Sequence, residues 1–147
     1  RDMGASEEAL LRALAVANLI TIHQKTGIGR LSAFCGATSA GCGAACGIAY
    51  LQGGRYEVIS HTIVNALAIC SGMVCDGAKP SCAAKIAAAV DAGLLGYRMY
   101  KDGGRQFVGG EGILKDGVEA TIESVGRLAR KGMRQTDQEI LNIMVGR

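Results

Sequence analysis

From Ser6 onward the apolar positions recur with helical rather than alternating spacing. Ser6 followed by Glu7 and Glu8 is a helix start: a hydroxyl to cap the first turn, then acidic residues at the positive end of the helix dipole. This first helix is predicted to run to about His23. It is apolar on most faces between Ala13 and Ile22, which predicts that it is largely buried. Thr26-Gly27-Ile28-Gly29 is expected to break it. A second helix, about residues 31–52, is dominated by small side chains. Gly36, Gly41, Gly43 and Gly47 each lower its intrinsic helicity by about 1 kcal/mol relative to Ala. Glycine at this density predicts close approach of another backbone or of a bulky cofactor, and a kink or unwound turn near residues 37–43.

Gly53-Gly54 closes that segment, and a third helix is predicted over about residues 56–69. Ser71-Gly72 leads into residues 73–81, too polar and too punctuated by Gly77 and Pro80 to be helical throughout. Ser81 is placed to cap a fourth helix, about residues 82–95, whose alanine-rich run from Ala83 to Val90 has strong helix propensity. Gly103, Gly104, Gly109 and Gly110 mark residues 102–112 as a loop. A fifth helix, about residues 115–131, carries an apolar stripe through Val118, Ile122, Val125 and Leu128, with Arg127, Arg130 and Lys131 at its negative end. Thr136-Asp137-Gln138-Glu139 starts a short last helix. No strand, internal repeat or low-complexity linker is evident. The expected fold is all-α: one helical domain over residues 1–147, a compact bundle of five to six helices with small-residue packing and a cysteine-bearing loop between helices.

Composition narrows the function classes. Hydrophobic residues make up 49% of the chain and aromatics 4%, with 22 Gly against one Pro, a core unlike that of a β-sandwich. Sixteen Lys+Arg against 13 Asp+Glu leave a net charge of +3, with no aromatic residues interleaved among the basic ones, so nucleic acid is not an expected partner. Residues 31–54 and 58–75 are uncharged and long enough to span a bilayer. The first is broken by glycines, the second carries Ser60, His61, Thr62, Asn65 and Ser71, and neither has an aromatic belt, so no membrane role is expected. Six Cys without a signal peptide read as reduced thiols of a cytoplasmic protein rather than a disulfide framework. The chain starts at Arg1 without an initiator Met and enters a helix almost at once, which reads as part of a longer polypeptide.

The cysteines carry the chemistry. Cys75 and Cys82 bracket the loop Cys75-Asp76-Gly77-Ala78-Lys79-Pro80-Ser81-Cys82, and Cys35 opens the small-residue segment forty positions upstream. Three thiolates from two segments are able to hold an iron–sulfur cluster and leave one iron without a protein ligand, a Lewis acid. By spacing alone the motif is weak, since a buried Cys is commonly a small hydrophobe. Zinc is disfavoured because close ligand pairs are missing and only two His are present. Cys42, Cys46 and Cys70 lie in apolar helical runs and read as packing residues. Asp76 either orients the loop or caps the next turn. Ser39 either contacts substrate or bonds its own backbone. Lys85, one turn past Cys82, either offsets cluster charge or is solvated. His61 reads as a core histidine.

The segments Cys35-Gly36-Ala37-Thr38, Ser71-Gly72-Met73-Val74-Cys75-Asp76-Gly77-Ala78 and Ser81-Cys82-Ala83-Ala84-Lys85 resemble the C-terminal part of the L-cysteine desulfidase family, itself related to the α chain of iron–sulfur L-serine dehydratases. The likeness extends to Ala5-Ser6-Glu7-Glu8-Ala9-Leu10-Leu11-Arg12, to Gly109-Gly110-Glu111-Gly112-Ile113 and to Gln135-Thr136-Asp137. The resemblance implies a [4Fe–4S] cluster on Cys35, Cys75 and Cys82, while Ser39, Asp76 and Lys85 are the substrate-side candidates among the polar residues read above. It implies no ligand at Cys42, Cys46 or Cys70. It also implies that about two-thirds of the enzyme, N-terminal to Arg1, holds a further substrate loop and the catalytic base, so no catalytic residue is assigned here. The expected partners are a small amino-acid substrate, that missing part and a second copy in a homodimer. The expected reaction is β-elimination of L-cysteine to pyruvate, ammonia and sulfide, or of L-serine to pyruvate and ammonia. Pyridoxal phosphate supports the same elimination, but no strand-to-helix context joins Lys79 or Lys85 to the glycines near Gly103. A non-enzymatic helical module using a cluster or bare thiols for redox binding is the alternative from another class.

Overall fold

The computed structural model describes residues 3–147; Arg1, upstream of which the resemblance places the rest of the enzyme, lies outside them. Six α-helices follow in order: α1 (Glu7–Ile28), α2 (Gly36–Leu51), α3 (Tyr56–Ile69), α4 (Cys82–Gly103), α5 (Val118–Arg127) and α6 (Arg134–Met144). A five-residue π-helical turn, Leu128–Gly132, continues α5. The all-α expectation holds: among the described residues, the extended backbone that pairs is confined to a single antiparallel bridge, Phe34 with Val74.

Small residues set the architecture. α2 is the central helix, with α1 on one side and α4 on the other, while α3 closes on α4 and α2. A Cβ on Gly93 of α4 would stand 2.7 Å from the Gly41 carbonyl oxygen of α2, and one on Gly47 of α2 2.9 Å from the Ala13 carbonyl of α1. The glycines of α2 therefore serve backbone-to-backbone contact, and the helix runs unbroken from Gly36 to Leu51 where a kink near residues 37–43 was expected. The same use of glycine explains two boundaries. Gly27 meets Gly126 of α5 instead of ending α1, which continues to Ile28 and stops at Gly29 with φ +97°. Gly93 and Gly96 lie inside α4, which runs past residue 95 to Gly103 and stops at Gly104 in the left-handed region.

Capping accounts for other starts. Ser6 Oγ accepts from the Ala9 N–H at 3.2 Å, as its position predicts. Ser81 makes no side-chain cap, so α4 begins at Cys82 without the expected hydroxyl. α5 begins at Val118 rather than near residue 115, because Thr121 Oγ1 takes the Lys115 N–H at 3.1 Å and donates to the Lys115 carbonyl at 3.0 Å, holding that stretch as a loop.

The core gathers Phe34, Ile63, Leu67, Leu114, Ile122 and Val125 around Cys42 and Cys46. Asn65, fully buried, donates to the carbonyls of Gly96 at 2.9 Å and Arg105 at 3.2 Å and accepts from the Phe107 N–H at 3.0 Å. It ties α3 to the end of α4 and to the loop beyond. One expectation fails clearly. α1 buries only Ala13, Gln24 and Ile28, while Leu11, Leu14, Leu19 and Ile22 are exposed. Only the side of α1 that meets α2 and α5 is packed. No helix of the described residues is long and apolar enough to cross a membrane.

Candidate metal centre

The antiparallel bridge brings two of the three predicted cysteine segments together. The Cys35 N–H donates to the Met73 carbonyl at 3.0 Å and the Cys75 N–H to the Ala33 carbonyl at 2.6 Å, so Phe34 and Val74 stand opposite each other. Side chains alternate along extended backbone. Phe34 is buried in the core, Cys35 beside it is buried and Cys75 half-buried, and across the bridge the two cysteines are diagonal neighbours, a placement that puts backbones on the order of 7–8 Å apart.

Cys82 arrives from the far end of the loop. It is the first residue of α4, and its sulfur accepts the Lys79 N–H at 3.4 Å and approaches the Gly77 carbonyl at 3.6 Å. The Gly77 backbone has φ +90°, which lets the loop curl around this sulfur. Cys35 holds the N-cap position of α2 without a side-chain cap and Cys82 opens α4, so two of the three cysteines stand at positive helix ends, favourable places for sulfur carrying negative charge.

Lys85 joins the parts. From one turn beyond Cys82 its ammonium donates to the Val74 carbonyl at 2.8 Å and to Asp76 Oδ1 at 2.7 Å. Lys79 pairs with the other oxygen of Asp76. Lys79 first and Lys85 second hold the Asp76 carboxyl well below the usual carboxylate range, at about 2. The hydrogen bond that Lys85 donates to Asp76 raises the pKa of Lys85, and the negative charge of Asp76 and then of Cys35 and Cys82 acts in the same direction. Met144 of α6 stands where a side chain on Gly77 would point, at 3.5 Å, so the last helix also reaches the loop.

The remaining cysteines stay in the core or at its edge. Cys42 takes a hydrogen bond from Gln24 Nε2 at 3.2 Å. The Cys46 thiol is pushed up strongly by its hydrogen bond with Cys42 and then by burial. Cys70, half-buried, lies 3.8 Å from Thr38 Oγ1. Ser39, on the same helix face as Cys35 and one turn on, is fully buried with no partner for its hydroxyl, while its carbonyl accepts from Thr21 Oγ1 at 3.3 Å.

Among the described residues no three His, Cys, Asp or Glu side chains close on a single metal ion. A four-iron cluster places its protein ligands on separate irons, which asks for thiols on converging segments rather than around one point. An all-thiol donor set on a bridge and a curled loop, with helix ends and a lysine beside it, fits that group in chemistry. His61 is elsewhere. It stacks on Tyr100 with centroids 4.2 Å apart and borders an open cavity of about 260 Å³ shared with Ser60, Phe107, Gly109, Lys115 and Asp116. Sequence reasoning missed that cavity and missed the bridge. The three-residue stretches 33–35 and 73–75 are too short for alternation to register as strands.

A profile of the family described as serine dehydratase alpha chain matches residues 1–142. The chain is 65% identical over 144 residues to a UPF0597 protein of Desulfitobacterium hafniense, covering 98% of this chain and 33% of that protein. A UPF0597 protein of Treponema denticola is 52% identical over 145 residues, covering 99% and 33%. One from Finegoldia magna is 54% identical over 138 residues, covering 94% and 33%. The chain thus spans about a third of the length of these relatives. No solved structure matches it.

Proposed function

We propose that this chain, which belongs to the serine dehydratase alpha-chain family, is the thiol-bearing part of an iron–sulfur lyase that β-eliminates a small L-amino acid. The observation that carries the proposal is the convergence of the Cys35 and Cys75 segments at the bridge, with Lys85 linking them to Cys82. The proposed ligands are Cys35, Cys75 and Cys82. A [4Fe–4S] cluster on three thiolates supplies an open iron, whose Lewis acidity favours loss of the Cα proton and departure of the β substituent.

The chain's own residues have three proposed parts. The loop wrapped on Cys82 and the bridge fix the thiols. Asp76 and Lys85, paired with each other, hold the Cys75 segment against α4 and place positive charge beside the sulfurs. The unpartnered hydroxyl of Ser39, one turn from Cys35, is the proposed polar contact on the substrate side. The base that takes the Cα proton is placed outside residues 1–147. Elimination and hydrolysis of the resulting enamine convert L-cysteine and water to pyruvate, ammonia and hydrogen sulfide. The same steps on L-serine give pyruvate and ammonia, with the water lost in the first step regained in the second. L-Cysteine is the reading that the resemblance of the cysteine segments supports. L-Serine is the second reading, favoured by the family's description.

The test is made on full-length protein purified without oxygen. Cys75→Ser and Cys82→Ser are expected to lose iron and visible absorbance, because a hydroxyl is a poor iron ligand beside thiolate, while Cys46→Ala keeps both. Turnover of L-cysteine against L-serine by the unaltered protein then assigns the substrate. Retention of iron by Cys82→Ser with loss from Cys46→Ala would overturn the ligand set.

A further inference from the structure

The outer face of α1 presents Leu11, Leu14, Leu19 and Ile22 at 60, 47, 65 and 59% exposure, with Ala15 between them. At 100° per residue these side chains share one face, opposite the one that meets α2. Asn18, the polar residue among them, turns its amide back onto its own helix and donates to the Leu14 carbonyl at 2.8 Å. The charged side chains flank the stripe rather than interrupt it. Glu8 pairs with Arg12 near one end, and His23 meets Glu119 at 2.7 Å beyond the other. A helix apolar on both faces belongs between two packing partners, and among the described residues α1 has a partner, α2 with α5, on one face.

The size of the stripe decides what the second partner is. From Leu11 to Ile22 it is about 17 Å long and about 10 Å wide, or roughly 170 Å² a side. A stable contact between separate molecules buries about 1,200–2,000 Å² in total, several times what two such stripes supply. A contact within one polypeptide escapes the entropy of association and is held by a far smaller patch. The relatives carry about two-thirds of their length outside the part matched here. We infer that the outer face of α1 is the seat of polypeptide outside residues 1–147, docked intramolecularly in the full-length chain. The inference rests on burial and area, and is independent of the cluster.

A photo-crosslinking amino acid, benzoylphenylalanine, at position 14 or 19 of the full-length protein tests this without removing any contact to α2. Exposed Glu123 is the control position. The expected result is a crosslink at single-chain mass, mapped by mass spectrometry to a peptide outside residues 1–147, at several-fold the control yield. A crosslink at twice that mass would assign the face to a second copy and overturn the inference. So would a yield no higher than at position 123, which would leave the face in solvent.

Discussion

Lys85 reaches across from α4 to the Val74 carbonyl and Asp76, and it does so beside two thiols. Lys85→Met keeps most of the stem and removes the charge and both hydrogen bonds. Groups that orient metal ligands from behind typically contribute 10–100-fold in metal affinity. The expected outcome is iron release to a chelator about tenfold faster, read from visible absorbance, with the helical circular dichroism unchanged. Asn65 makes a different kind of contribution. Asn65→Leu would leave the Phe107 N–H and the carbonyls of Gly96 and Arg105 without their partner, at an expected cost of about 2–3 kcal/mol in urea denaturation. Of these roles, the place of Lys85 one turn beyond Cys82 was legible in the sequence, because helical spacing is a local property. Asn65 was not, since its three partners lie 31 to 42 positions away.

At the scale of elements, glycine marks contact more than interruption. Gly93→Ala would drive a methyl group to 2.7 Å from the Gly41 carbonyl and 2.8 Å from Ala45 Cβ, so urea denaturation is expected to show about 1–3 kcal/mol of destabilisation. Gly36→Ala, with no atom within 4 Å, is expected to be neutral or to stabilise by up to about 1 kcal/mol in the same measurement. The helices themselves were legible from periodicity, and α3 falls on the expected residues 56–69. Their ends were not. A glycine inside a helix and a glycine that ends one read alike until the neighbouring backbone is known, which is why α1 and α4 run past Gly27 and Gly96. The candidate centre was legible as a set of thiols, whereas the way they meet depends on a pairing of residues forty positions apart.

For the whole molecule, the outer face of α1, exposed where a largely buried helix was expected, is the face that the proposed docking of further polypeptide would cover. The proposed function puts the catalytic base outside these residues, and on that proposal the behaviour of the 147-residue chain alone is predictable. After cluster reconstitution it is expected to hold iron but to form no pyruvate from L-cysteine or L-serine, measured by coupled reduction of pyruvate. Production by this chain alone would put the base within it, with Lys85 and His61 the first residues to substitute.

The pairing of Phe34 with Val74 also makes the site a product of the fold. It joins residues forty positions apart across α2 and α3, and closing a loop of that length costs chain entropy that the packing of those helices must offset. The thiols therefore meet only when the chain is already folded. Under the proposed ligand set a cluster would be held only by a chain in which this bridge has formed, so loading would depend on folding.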